Sequence, residues 1–295
     1  MPNGGSLFDT RLSFAQLSAI VEAFTSVGMR KLRITGGEPL LRKDLASWIA
    51  DLPSIDDVAM TTNGSLLAAH ARRLRDAGLH RLTVSLDSMD PDQFNALSGG
   101  RGILADVVRG LLTARDAGFA DIKLNAVIQR GVNEDQILPL ARFARENGFT
   151  IRYIEFMDVG THNHWSFADV IPAQFIVDVL AAEFGAHPLT PTVVGEVAQR
   201  YAYGDSAGEF GVIASVTQPF CGDCNRARVS AEGMLYTCLF AGQGTPLLPV
   251  VDEPGLLRER IREIWNARSD RYSEQRFELA HSGARKRVEM FLVGG

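Results

Sequence analysis

An α/β fold built on parallel strands, either a (β/α) barrel or a doubly wound sheet, is what this sequence predicts, and three observations predict it. Four segments each end in Gly and run into a β-rich stretch: Val27-Gly28-Met29, Ala77-Gly78-Leu79, Ala117-Gly118-Phe119 and Asn147-Gly148-Phe149. Glycine readily takes the left-handed conformation that closes a helix, so each marks a helix-to-strand junction. Amphipathic stretches alternate with short β-rich runs throughout residues 13–156, and such alternation implies parallel strands joined by right-handed crossovers. No Gly-x-Gly-x-x-Gly follows a strand there, which counts against a dinucleotide-binding sheet.

Taken in order, a helix is expected over Phe14 to Ser26 with Ser13 as its N-cap, and a strand over Lys31 to Thr35. A strand at Val58 to Thr62 precedes a helix over Ser65 to Ala77 and a strand at Arg81 to Leu86. Then come a helix over Ile103 to Ala117, a strand at Ile122 to Ile128, a helix over Glu134 to Asn147 with Asn133 as cap candidate, and a strand at Ile151 to Phe156. From about Asn163 the rhythm fades, and a charged helical stretch runs from Glu253 to Arg268. The expected division is residues 1–160 and 161–295.

Within the strands, Arg33, Thr83, Lys123 and Arg152 each stand between apolar neighbours. Period-two alternation puts these four on the face opposite the helix-packing residues. Basic groups aimed into a barrel lumen imply an anion there, because burying an unpaired charge is costly. Solvated positions on an open sheet would give the same pattern.

With 295 residues and 46% hydrophobic content, the chain can bury a sizeable core. No apolar run approaches the ~20 residues that span a bilayer, and the start lacks a signal-peptide pattern. A cytoplasmic protein without membrane partners is therefore expected. A net charge of -5 argues against general nucleic-acid binding. Three cysteines suit no disulfide framework, and their close grouping points to metal or redox use.

Those cysteines carry the clearest chemistry. Cys221 and Cys224 flank Gly222-Asp223, and Cys238 follows thirteen residues after Cys224. Two thiolates three positions apart grip one metal centre, and a distant third closes the site while leaving a coordination position open. Iron–sulfur is the leading reading; zinc completed by His164 or His281 is the other. Arg226 and Arg228 adjoin the pair, and guanidinium forks suit an anionic, phosphate-bearing ligand. At the end of the first strand, Gly36-Gly37-Glu38-Pro39 lets a ligand approach the backbone, with the Glu38 carboxylate free to accept from an amine. Thr61-Thr62-Asn63-Gly64 and Ser85-Leu86-Asp87-Ser88 end the next strands, so polar clusters outline one rim, where barrel enzymes build their sites.

These residues together resemble the GTP 3′,8-cyclase family of radical S-adenosylmethionine (SAM) enzymes, which act first in molybdenum cofactor biosynthesis. The resemblance runs through Arg33 to Pro39, Thr61 to Gly64, Val84 to Asp87, Arg152 to Gly160, Phe220 to Arg228 and the closing Gly294-Gly295. It implies an incomplete (β/α) TIM-type barrel, a radical SAM core lacking its first strand, with a C-terminal iron–sulfur extension. It implies that Gly37, Ser85 and Met157 bind SAM, that Arg33, Thr61, Lys123, Arg226 and Arg228 contact GTP, and that Arg152 lines the same cavity. Cys221, Cys224 and Cys238 would hold a [4Fe-4S] cluster whose free iron meets the guanine base. Gly294 and Gly295 would form a tail reaching the active site. GTP, SAM and an electron-donor protein are the implied partners, with a homodimer as a compatible assembly.

The family's Cys-x-x-x-Cys-x-x-Cys segment, which holds the SAM-cleaving [4Fe-4S] cluster, has no counterpart in this sequence. Family members follow its last cysteine with Met-Pro, and this chain opens Met1-Pro2. The expectation is a start assigned inside the motif or a fragment, a second [4Fe-4S] cluster only in a longer form, and no SAM cleavage by these 295 residues. The competing readings are another radical SAM enzyme with an auxiliary cluster, a non-catalytic GTP- or cluster-binding module, and a zinc hydrolase. The last lacks a His-Glu-x-x-His motif.

Overall fold

The computed structural model describes residues 11–159, 165–192 and 195–275; His164, His281, Gly294 and Gly295 lie outside them. Helix α1 (Phe14–Ser26) leads to strand β1 (Lys31–Ile34), α2 (Leu45–Ala50) to β2 (Asp57–Thr62), and α3 (Leu67–Asp76) to β3 (Arg81–Ser85). Helices α4 (Pro91–Leu97) and α5 (Leu104–Asp116) precede β4 (Ile122–Ile128), and α6 (Ile137–Asn147) precedes β5 (Thr150–Glu155). Then follow α7 (Ala173–Phe184), β6 (Ala186–Pro188), β7 (Gln199–Tyr203), β8 (Glu209–Ile213), β9 (Arg228–Val229), β10 (Met234–Tyr236), β11 (Thr245–Pro246) and α8 (Pro254–Asn266).

One eight-stranded sheet runs β1-β2-β3-β4-β5-β8-β7-β6. Its first six strands in that order are parallel and the last two antiparallel. The sheet stays open between β1 and β6, an incomplete barrel as expected, and β8 continues the parallel part beyond residue 160. A small antiparallel sheet, β11-β10-β9, carries the cysteine region.

Local chemistry explains the junctions. Gly28, Gly78, Gly118 and Gly148 all have positive φ, between 73° and 101°. Ser13 caps α1 in a reciprocal box: Gln16 N donates to its Oγ at 3.2 Å while Ser13 N donates to Gln16 Oε1 at 3.0 Å. Asn133 does not cap α6. Its Nδ2 donates instead to the carbonyls of Asp87 and Val127, both at 2.9 Å, tying the ends of β3 and β4 together.

One face of the sheet is apolar. Met60, Leu82, Val84, Leu124, Ile151 and Val212 are fully shielded there and share one core with α3, α5, α6 and α7. Each such side chain contributes roughly 1.5–3 kcal/mol by leaving water. A second, smaller core joins Ile20 and Ala23 of α1 to Leu235 of β10 and Leu257 and Ile261 of α8. Because Val21 of the same helix belongs to the main core, α1 links the barrel to the cysteine region. Among the described residues no helix is long and apolar enough to cross a membrane.

Candidate active site

The opposite face of the sheet is polar, and register fixes its layout. Thr61, Thr83, Lys123 and Thr150 pair in one row across β2, β3, β4 and β5. Ser85, Asn125, Arg152 and Gly211 form the next row towards the strand C-termini. Arg33 of β1 reaches across this face, its Nη1 donating to Thr61 Oγ1 at 2.9 Å and Thr83 Oγ1 at 3.1 Å. All four polar residues singled out by alternation therefore share one face.

This face is electropositive and strained by it. Burial, then repulsion from Arg152 and Arg81, lowers the Arg33 pKa to about 10, although the residue as a whole keeps exposed surface. Burial likewise lowers those of Lys123 and Arg152. Below them lies a counter-charged floor that the sequence did not announce. Arg81 grips Asp57 with two nitrogens, and Lys123 Nζ lies 2.6 Å from Asp121 Oδ2. Arg81 Nη1 stands 3.7 Å from the same Asp121 oxygen.

At the rim, Gly36 holds φ at 133°, a conformation that favours glycine, and a Cβ on Gly36 or Gly37 would meet nothing within 4 Å. The backbone there is open to a ligand. Glu38 is already engaged: Oε1 accepts from Leu40 N at 3.0 Å and Thr62 Oγ1 at 2.7 Å, and Oε2 from Asn63 N at 2.8 Å. Its first task is to join the rims of β1 and β2. Ser85 ends β3 exposed, and Met157 follows β5 half-buried.

The three cysteines are free thiols, each half-buried. Cys221 opens a 3-10 turn that Cys224 closes, its N–H donating to Cys221 O at 3.2 Å. The β9–β10 pairing, with Arg228 opposite Tyr236, returns the chain so that Cys238 comes within electrostatic reach of Cys221. Among the described residues no group of three or more His, Cys, Asp or Glu closes tightly enough to hold a single metal ion. The surroundings nevertheless suit thiolates. Burial raises the Cys224 thiol, but Arg226's charge, the Arg226 N–H and contacts from Arg268 and Arg226 outweigh it and bring the pKa to about 7. Arg226 Nη2 lies 3.4 Å from Cys224 Sγ, and Phe240 N donates to Cys238 Sγ at 3.4 Å. Burial chiefly, with Asp270 and Cys221 adding to it, pushes the Cys238 thiol up.

Cavity and cysteine loop act on each other. Arg226's positive charge depresses Arg33, and burial followed by Arg226 lowers the Arg228 pKa to about 10 while Cys224 and Cys238 pull it upward. Arg268, unnoticed in the sequence, donates to Cys224 O, and Asp270 and Tyr272 continue from it to Thr237 and Asp158. The segment 268–272 thereby straps the cysteine loop to the end of β5.

This open parallel sheet with a basic inner face and a following cysteine module defines the class, and comparison with known proteins agrees. The family model described as Radical SAM superfamily matches residues 7–144, and that described as Molybdenum Cofactor Synthesis C matches residues 149–274. The solved structure of native anSMEcpe with bound AdoMet and Cp18Cys peptide shares the fold, with a TM-score of 0.50 at 14% identity over 84% of this chain and 72% of that one.

Among curated relatives, GTP 3′,8-cyclase of Xanthomonas axonopodis pv. citri is 52% identical over 97% of this chain and 86% of its own length. The enzymes of the same name from Acidothermus cellulolyticus and Aquifex aeolicus are 51% and 42% identical, over 96% and 95% of this chain and 86% and 85% of their own. The chain belongs to the GTP 3′,8-cyclase family of the radical SAM superfamily.

Proposed function

We propose that this chain is a GTP 3′,8-cyclase, converting GTP to 3′,8-cyclo-7,8-dihydro-GTP in the first step of molybdenum cofactor biosynthesis. The observation that carries this reading is the single electropositive field formed by Arg33, Arg152 and Arg226 beside three thiols. A triphosphate needs such a field, and neutral substrates do not.

In this reading Arg33, Lys123, Arg152, Arg226 and Arg228 neutralise the triphosphate and, with Thr61, hold the nucleotide still. Gly37, Ser85 and Met157 position SAM at the rim, above the Lys123 row. When bound, a reduced [4Fe-4S] cluster with SAM supplies the radical that takes the C3′ hydrogen, after which C3′ bonds to guanine C8. The residues contribute by placement: they set C3′ towards the rim and keep the base over the cysteine loop. Cys221, Cys224 and Cys238 would hold a second cluster. Residues 1–160 furnish most of the sheet, and residues 161–295 complete it and bring the cysteines. An electron-donor protein would supply the reducing equivalent.

Substituting Arg226→Ala and Arg228→Ala together tests the site. Removing two charge-assisted contacts should weaken GTP binding about 100-fold in anaerobically reconstituted protein measured by calorimetry. Unchanged affinity would remove both residues from the site. All three cysteines of the 295 residues stand at 221, 224 and 238, so this polypeptide by itself should release no 5′-deoxyadenosine from SAM and GTP. Chromatographic detection of GTP-dependent 5′-deoxyadenosine would refute that part.

A further inference from the structure

On the cavity face, two neighbouring side chains with strong hydrogen-bonding demands, Asn125 and Arg152, have no side-chain partner among the described residues. Asn125 on β4 stands in register with Arg152 on β5. The Asn125 Oδ1 is closed off from solvent and accepts no hydrogen bond. Arg152 feels Asp121, Glu196 and Glu209 only through space, with no bonded carboxylate. The neighbouring charged groups are engaged: Arg33 on Thr61 and Thr83, Lys123 on Asp121, Arg81 on Asp57.

The sheet directs Asn125 to this face. Leu124 and Ala126 on either side of it are fully buried in the main core, so alternation turns the amide the other way. Gly211, opposite Arg152 on β8, lets the Arg152 stem pack close to the sheet: a Cβ there would come within 3.4 Å of Arg152 Cγ and 3.2 Å of Ala198 Cβ. An amide and a guanidinium in register on neighbouring strands, with no protein partner among the described residues, suit a ligand with both hydroxyl and anionic oxygens. Buried polar groups are rarely left unpaired without such a reason.

Position selects the part of the ligand. Ser85, on one side of Asn125 in its row, belongs to the proposed SAM rim; Lys123, one step below on the same strand, and Arg152, on the other side, belong to the proposed GTP contacts. The sugar carbon that loses hydrogen must lie between the two ligands. With Oδ1 closed off from solvent and the residue only half-buried, Nδ2 is the end left to the cavity, and a ribose hydroxyl oxygen can accept from it.

We propose that Asn125 is a further substrate contact, hydrogen-bonding the ribose hydroxyls of GTP and so setting the height of C3′ below the rim. This rests on the function proposed above.

Binding of GTP and of 2′,3′-dideoxy-GTP to the anaerobically reconstituted chain, native and Asn125→Ala, tests it. Loss of one such hydrogen bond should weaken GTP roughly tenfold and leave the dideoxy analogue unchanged. An equal loss for both nucleotides, or no loss for either, overturns the proposal while leaving the GTP assignment intact. Failure of the native chain to bind either nucleotide would instead sink the underlying function. Should the Ala variant fold poorly by circular dichroism, Asn125→Ser, too short to reach the sugar, must show the same selective loss.

Discussion

Asp87 carries a charge problem that can be read in its titration. It follows β3, accepts a hydrogen bond from Val127 N at 2.8 Å, and is half-buried; burial raises its pKa from 3.8 to about 6 against the pull of that N–H. Between those values the folded chain holds a proton that the unfolded chain releases, so stability from this group is complete below about pH 4 and lost as pH rises through 6. Asn can accept the same N–H without ionising. Relative to Asp87→Asn, the native protein should therefore lose about 2 kcal/mol between pH 4 and pH 6.5, discounted from the full conversion because Asp87 keeps partial contact with water. Urea unfolding of both proteins at four pH values measures this. A difference that shrinks with rising pH would refute it. The lumen cations illustrate the reverse situation: burial, then repulsion from neighbouring arginines, depresses Arg33 and Arg152, with Arg81 acting on both, and a bound polyanion would relieve both at once.

Elements with strong local signals are legible in the amino-acid sequence. The Ser13 box, the four closing glycines and the strands bearing Arg33, Thr83, Lys123 and Arg152 appear where alternation and capping put them. The strands beyond residue 160 are not legible in this way, and neither are α2 and α4. Helix α4 is seven residues long, set by Pro91 and by Asp90 accepting from Gln93 N at 2.8 Å, too short for a periodic pattern to emerge. Strands β6 and β7 are short, polar in part and partly exposed, because they end the sheet rather than fill its core. Helix α3 starts at Leu67 rather than Ser65, since Gly64 takes φ of 80° and its carbonyl receives the Leu67 N–H in a turn. The candidate site divides in the same way. Cys221, Cys224, Arg226 and Arg228 declare themselves by spacing. The Asp57–Arg81–Asp121 floor, the Asn125 row and the Arg268 strap depend on strand register and long-range packing, which no local window contains. Glu38 reads as a ligand group by sequence and is taken first by the rim.

At the scale of the molecule, one buried carboxylate ties three regions together. Glu155 ends β5 with no exposed surface. Its Oε1 accepts from Ala173 N at 2.8 Å, where α7 begins, and from Thr217 Oγ1 at 2.5 Å; its Oε2 accepts from Val216 N and Thr217 N, both at 2.8 Å. The 216–217 segment leads directly to the Cys221 turn, so this carboxylate anchors the cysteine module to the end of β5, as the 268–272 strap does three residues further on at Asp158. An unpaired carboxylate in such a place would be prohibitive, and four converging donors make it tolerable. Glu155→Gln keeps the shape but turns one acceptor into a donor facing other donors. That change loses two charge-assisted bonds and leaves backbone N–H groups unsatisfied, and should cost about 3 kcal/mol. Equilibrium unfolding in urea reads the loss, and a value under about 1 kcal/mol would mean that the loop docks by apolar packing alone. Because the second core joins α1 to β10 and α8 independently of Glu155, the cysteine region should remain folded in the variant while its hold on the barrel weakens.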